Sequence, residues 1–149
     1  MSDPKLEYTK NFDEWFVLKP KLDLQDHQPP LTKQGQIWWC HLGENIGTEI
    51  SGKNTDLTRP VIIFKRLSRY TFLVIPCSTQ TKEGSWFSFF THNKKQMVAC
   101  LNQVKIIDYR RLKNKVGILD DKDFQKISLD FGQLYVPDFQ KNKPSEEES

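Results

Sequence analysis

Between residues 36 and 107 the chain is a series of short apolar runs, rich in β-branched and aromatic residues and divided by polar turns. Such runs predict strands. The two clearest, Val61-Ile62-Ile63-Phe64 and Phe72-Leu73-Val74-Ile75, are separated by the basic polar stretch 65–70 and predict neighbouring buried strands of one hairpin. The run 36–42 sets Trp38, Cys40 and Leu42 on one face and Ile37, Trp39 and His41 on the other; bulk on both faces places it centrally in a small curved sheet. Further strands are predicted at 85–90, 96–101 and 104–107, with the choice of core face open for Trp86 and Phe87.

The periodicity changes at both ends. Behind Asn11 as N-cap, with Asp13 and Glu14 in the first turn, Phe12, Trp15, Phe16 and Lys19 share one helical face that ends before Pro20. This short helix is expected to dock its aromatics on the sheet; a partner-binding arm is its second reading. The proline-containing stretch 22–33 reads as a linker. Asp120-Asp121-Lys122-Asp123 opens a second helix with Phe124, Ile127, Phe131 and Leu134 on one face, stopped by Val136-Pro137. The expected organisation is therefore an N-terminal helix and linker (1–33), a main body (34–135) and a disordered acidic tail (136–149).

Charge sharpens this picture. The net formal charge of +3 hides 16 Lys and Arg against 9 Asp and Glu in residues 31–135, with an acidic excess in both flanks. A basic body with acidic ends suits a polyanionic substrate or an acidic partner, although solvated surface lysines give the same count. Aromatics interleaved with basic residues can stack bases while Lys neutralises phosphates. Cys40, Cys77 and Cys100 cannot all pair within the chain, show no CxxC spacing and fall in apolar segments, so they read as small buried residues in a reducing compartment. The charged start carries no signal-like stretch, and no run approaches the ~18 apolar residues of a membrane span, which points to the cytoplasm and to no membrane partner.

The chemistry gathers at strand ends. Arg59 stands where a polar loop enters one strand and Ser78 where the next strand leaves the core, so a guanidinium and a hydroxyl can face one cleft. That arrangement suits a phosphate. His41 has an ordinary pKa near neutrality, but with no His, Cys or acidic partner at ligand spacing it reads as structural. There is no P-loop and no dense His, Cys or Asp cluster, so neither a metal nor another cofactor is expected.

Several motifs in fixed order carry a resemblance. They are residues 37–42, Gly47-Thr48-Glu49, Gly52-Lys53, Arg59-Pro60-Val61, Pro76-Cys77-Ser78-Thr79, then Gln103-Val104-Lys105-Ile106-Ile107-Asp108 with Arg111-Leu112 soon after. In this order and spacing, and on through Lys115-Val116-Gly117 and Leu119-Asp120, the chain resembles the MazF/PemK toxins of toxin-antitoxin pairs over roughly residues 34–135. The resemblance implies a mainly β, α+β fold: a Src-homology-3-like (SH3-like) β-barrel of about five strands with a helix at each end. It further implies a dimeric, sequence-selective endoribonuclease that cuts single-stranded RNA without a metal to leave a 2′,3′-cyclic phosphate, and that is neutralised by a cognate antitoxin with an acidic segment.

Carried over residue by residue, Arg59 and Ser78 match the family's catalytic Arg and Thr, and Glu49 becomes a candidate base or orienter of Arg59. Lys53, Thr79, Asn102, Gln103 and Lys105 become RNA contacts. Two departures stand out. Asn102, which cannot take a proton, occupies a position that is acidic in part of the family, and Lys105 replaces an Arg, keeping charge but losing the bidentate fork. Residues 53–58 also lengthen the loop before Arg59. The competing expectations are a CcdB-like toxin that binds gyrase, against which Arg59 and Ser78 speak, and an RNA-binding module of the same fold without catalysis, which Asn102 keeps open.

Overall fold

The computed structural model describes residues 10–139; residues 1–9 and, from residue 140 onward, most of the expected disordered tail (136–149) lie outside the described residues. The described chain forms helix α1 (Phe12–Asp23), strands β1 (Gln36–His41), β2 (Thr58–Arg66), β3 (Thr71–Ser78), β4 (Phe87–His92), β5 (Lys95–Cys100), β6 (Lys105–Asp108) and β7 (Leu112–Ile118), and helix α2 (Asp121–Tyr135). The strands are ordered β4-β5-β3-β2-β1-β7, with β6 also on β3. Every strand pairing is antiparallel. The sheet curls into a roughly barrel-like body but does not close, since β4 and β7 end the order without pairing to each other.

The mainly β fold with a helix at each end is as expected, but seven strands replace about five. The strand that escaped notice is β7. Its Lys113, Asn114 and Lys115 are exposed and only Leu112 is buried, because an edge strand pairs on one side and needs no apolar alternation to be held. Two boundaries also shift. Strand β2 runs on through Lys65 and Arg66, which were expected in the turn, and β4 begins only at Phe87, leaving Trp86 48 % exposed after the turn at Gly84.

Period-two alternation sorts β1, β2 and β3 between two cores. Ile37, Ile62, Ile75 and Cys77 join Phe90, Met97 and Leu101 on one face, covered by Phe124, Ile127, Phe131 and Leu134 of α2. Cys40, Leu42, Val61, Ile63, Phe72 and Val74 join Ile107, Tyr109 and Leu112 on the other. Strand β3 is the hub of this arrangement. One edge follows β2, while the other pairs with β6 at Thr71–Val74 and with β5 at Cys77 and Ser78. Pro76, with no N–H to offer a ladder, lies in the interval between those two partners.

Helix α1 departs from expectation in two ways. It continues through Pro20 to Asp23, because the proline deletes a single backbone bond, to Phe16, while Leu22 gains a buried site. Its buried stripe is Trp15, Leu18 and Leu22 against Leu57, whereas Phe16 is 62 % exposed and Phe12 only half-buried. Trp15 rests directly on Gly43: a Cβ there would come within 2.1 Å of the indole, and the backbone has φ +77°. Gly43 thus fixes both the loop after β1 and the seat of α1.

Candidate active site

The ladder between β2 and β3 ends at Val61 opposite Pro76. Two residues further on each strand, the same antiparallel register sets Arg59 across from Ser78. Both line a cleft of about 190 Å³ together with Lys53, Thr79, Lys95 and Trp39. Arg59 is held from behind: its Nε donates to the Ser51 carbonyl at 2.8 Å. Ser78 is almost fully buried, and its Oγ accepts from the Gln80 amide at 3.1 Å, which leaves the hydroxyl proton for another acceptor. Thr79, its neighbour, is exposed.

The loop that holds Arg59 is itself stapled. Asn45 donates its side-chain amide to the Leu42 and Ile50 carbonyls at 3.2 and 2.7 Å, the Asn45 backbone N–H donates to Ser51 Oγ, and the Gly52 N–H donates to the Gly43 carbonyl. Gly52 admits no side chain, since a Cβ would meet the Leu57 carbonyl oxygen at 1.8 Å. Loop position, and with it the Arg59 guanidinium, is therefore held in part by hydrogen bonds that the loop makes to itself through Asn45, Ser51 and its own backbone.

The remaining sequence candidates lie in a second cleft. Glu49, Asn102, Gln103 and Lys105 line a separate cavity of about 330 Å³, to which the same loop also contributes Asn45 and Ile50. Glu49 Oε1 accepts from the Ile46 amide at 3.0 Å. Gln103 is engaged at both ends: Oε1 accepts from the Ile50 amide at 2.9 Å and Nε2 donates to the Thr48 carbonyl at 3.0 Å. It clips the loop to the short 3₁₀ turn Leu101–Gln103. Asn102 on the same turn is exposed. Lys105 is half-buried and its ammonium is held below the ordinary range, first by burial and then by nearby Arg111, with Cys40 and Glu49 acting the other way.

The three cysteines are buried free thiols. Burial pushes Cys40 up to about 12 against the pull of Arg111 and Lys105; Cys77 and Cys100 are raised for the same first reason, with Arg59 opposing. Thiols so protonated are poor nucleophiles. His41 is buried with Nδ1 at 2.8 Å from the Asp56 carbonyl, in keeping with a structural histidine. Among the described residues no group of three or more His, Cys, Asp or Glu side chains gathers at metal-binding distance, and no helix is long and apolar enough to cross a membrane.

Sequence reasoning missed Lys95 and Trp39 in the Arg59 cleft. Lys95 could be read only as one of several turn lysines, and Trp39 only as bulk in a strand with two apolar faces. What places them is the pairing of β5 with β3 and of β1 with β2.

Known proteins share this architecture. The crystal structure of MazF (Form-I) from Deinococcus radiodurans superposes with a TM-score of 0.58 at 15 % identity, covering 73 % of this chain and 97 % of that one. MazE-MazF (Form-II) from the same organism gives 0.54 at 14 % identity over 74 % and 98 %, and an endoribonuclease in complex with its cognate antitoxin from Mycobacterial species gives 0.54 at 13 % over 72 % and 98 %. At such identities the likeness establishes the fold. None of the curated proteins matches the sequence. The family model of the PemK-like, MazF-like toxin of type II toxin-antitoxin systems, however, matches residues 33–135, which is most of the chain and contains both clefts. This chain belongs to the PemK-like, MazF-like toxins of type II toxin-antitoxin systems.

Proposed function

We propose that this protein is a sequence-selective endoribonuclease of the cytoplasm, a homodimeric toxin that cleaves single-stranded RNA and is restrained by a cognate antitoxin with an acidic segment. The observation that carries this reading is the meeting of Arg59 and Ser78 in one basic cleft. Cleavage without a metal needs deprotonation of a 2′-hydroxyl, stabilisation of a crowded pentavalent phosphate and protonation of the leaving 5′-oxygen, yielding a 2′,3′-cyclic phosphate. Arg59 supplies the second of these. Its planar fork holds two phosphate oxygens at once, and its charge persists at any working pH. Ser78 orients the phosphate, with Thr79 beside it. Lys53 attracts the backbone at this cleft and Lys105 does so at the second one, where the neutral amide of Asn102 offers hydrogen bonds to RNA.

Glu49 acts through position. It sits on the loop whose Ser51 carbonyl holds Arg59, and its carboxylate closes a turn in that loop. Gln103 supports the same loop from the opposite side.

Incubating purified protein with single-stranded RNA in excess EDTA tests the proposal. Cleavage to products with cyclic phosphate termini is expected. Cutting that returns only with a divalent ion would overturn the metal-free mechanism. RNA binding without cleavage would leave an RNA-binding module, and gyrase inhibition without RNA cleavage would leave a CcdB-like toxin.

A further inference from the structure

We propose that Trp39 is the stacking platform for a nucleobase next to the scissile phosphate. This rests on the nuclease reading above and gives a role to a residue of the 37–42 run to which the resemblance assigned none. Trp39 lies on β1 between Pro60 of β2 and Asn114 of β7, so it borders the strand end that carries Arg59. It lines the Arg59–Ser78 cleft and also a neighbouring cavity of about 350 Å³, and Asn54 and Thr58 are shared between the two. The indole therefore stands at the junction of a phosphate-sized basic cleft and a second, open one.

Several observations favour a base as occupant. Trp38 gives its indole N–H to Gln36 Oε1, and Trp15 lies under the Arg111 guanidinium, but among the described residues the Trp39 indole has neither a hydrogen-bond partner nor a ring contact. Register shifts on both sides of the Trp38-Trp39 pair, between Ile37 and Trp38 and between Trp39 and Cys40, break the β1–β7 ladder there; irregularities of this kind re-aim side chains. The second cavity offers the amides of Asn54 and Asn114 for a base edge, and the Lys113–Asp56 ion pair, 2.6 Å long, at its wall. Lys53 and Lys95 in the first cleft suit a phosphate chain passing beside an aromatic face, while Lys113 in the second is already paired with Asp56. A protein partner would more often meet an apolar centre depleted of charge, which these polar and charged walls do not provide.

The test combines Trp39→Ala and Trp39→Phe with oligonucleotides that carry a single abasic site at each position flanking the cut. At one such position the abasic site is expected to weaken binding by wild type by roughly 5- to 150-fold, the range of one base–aromatic stack. The same abasic site should cost Trp39→Ala little, because the partner ring is already gone, and Trp39→Phe should keep most of the affinity. Equal abasic penalties in wild type and Trp39→Ala at every position would overturn the proposal and leave Trp39 as a surface for a protein partner.

A binding measurement keeps the question open to test even if the nuclease reading fails or Trp39→Ala does not fold. A single-stranded 2′-O-methyl oligonucleotide cannot be cut by 2′-hydroxyl attack. It should quench the tryptophan fluorescence of wild type, and Trp39→Phe should lose that quenching. Quenching that is unchanged in Trp39→Phe sinks the stacking role, whether or not the protein cleaves RNA.

Discussion

Arg59 and Lys105 show how two cations on the strands that flank β3 take different work. Arg59 lies across from Ser78 and is braced by a carbonyl, so its fork is preorganised for a phosphate. Arg59→Lys should therefore be nearly as damaging as Arg59→Ala, with single-turnover cleavage down about 10²- to 10³-fold in either. Near-wild-type turnover by Arg59→Lys would show that charge alone suffices. Lys105→Ala should be milder, weakening binding and lowering its salt sensitivity while leaving turnover at saturating RNA close to normal. Lys105 also carries a stability prediction. Its folded pKa lies below the ordinary 10.5, so between the two values the unfolded chain binds more protons. The resulting penalty on folding is present at neutral pH and fades as pH rises through that window toward 10.5. Thermal melts of Lys105→Met should thus show a higher midpoint than wild type at pH 7, and the gap should close at alkaline pH.

Helix α1 is tied to the site through the loop that begins at Gly43. Trp15 sits on Gly43, Leu57 packs against Trp15, and the Leu57 carbonyl accepts from the Leu42 and Gly43 amides. Deleting residues 1–30 should consequently lower stability more than it changes the chemistry. Point substitutions sharpen this. Trp15→Ala is expected to cost about 3 kcal/mol, as loss of a buried aromatic does, whereas Phe16→Ala should stay within about 0.5 kcal/mol because the ring is exposed. Equal effects in chemical denaturation would mean that the helix docks otherwise. An unchanged melting temperature after the deletion, with antitoxin binding lost, would make α1 a partner arm. Gly43→Ala should resemble Trp15→Ala, since the added methyl displaces the indole.

At the scale of the whole molecule the basic excess of the body includes Lys53, Arg59 and Lys95 in one cleft and Lys105 in the other, and the proposed function has RNA pass over them. Each lysine that meets a phosphate should contribute about 0.7 to the slope of log affinity against log salt for single-stranded RNA. Lys53→Ala and Lys95→Ala are each expected to reduce that slope by about this amount while affecting all sequences alike. A slope left unchanged by both would place the RNA backbone elsewhere. The same field favours an acidic partner segment, so high salt should weaken antitoxin and RNA binding together.

Order along the chain determined much of this protein by itself. Runs of β-branched and aromatic residues marked six of the seven strands, the spacing of Phe124, Ile127 and Phe131 marked α2, and Arg59-Pro60-Val61 with Pro76-Cys77-Ser78 marked the strand ends that meet. These signals are local, because burial on one face imposes a period and a strand end imposes a change of polarity. Tertiary structure alone decided the rest. An edge strand such as β7 is held by its neighbour's backbone and so need not show a pattern. Whether Gln103 reaches RNA or clips a loop depends on Thr48 and Ile50, more than fifty residues away. The separation of Glu49 and Lys105 from Arg59, and the approach of Lys95 and Trp39 to it, follow from which strands pair across the sheet, a long-range choice that no short stretch of sequence encodes.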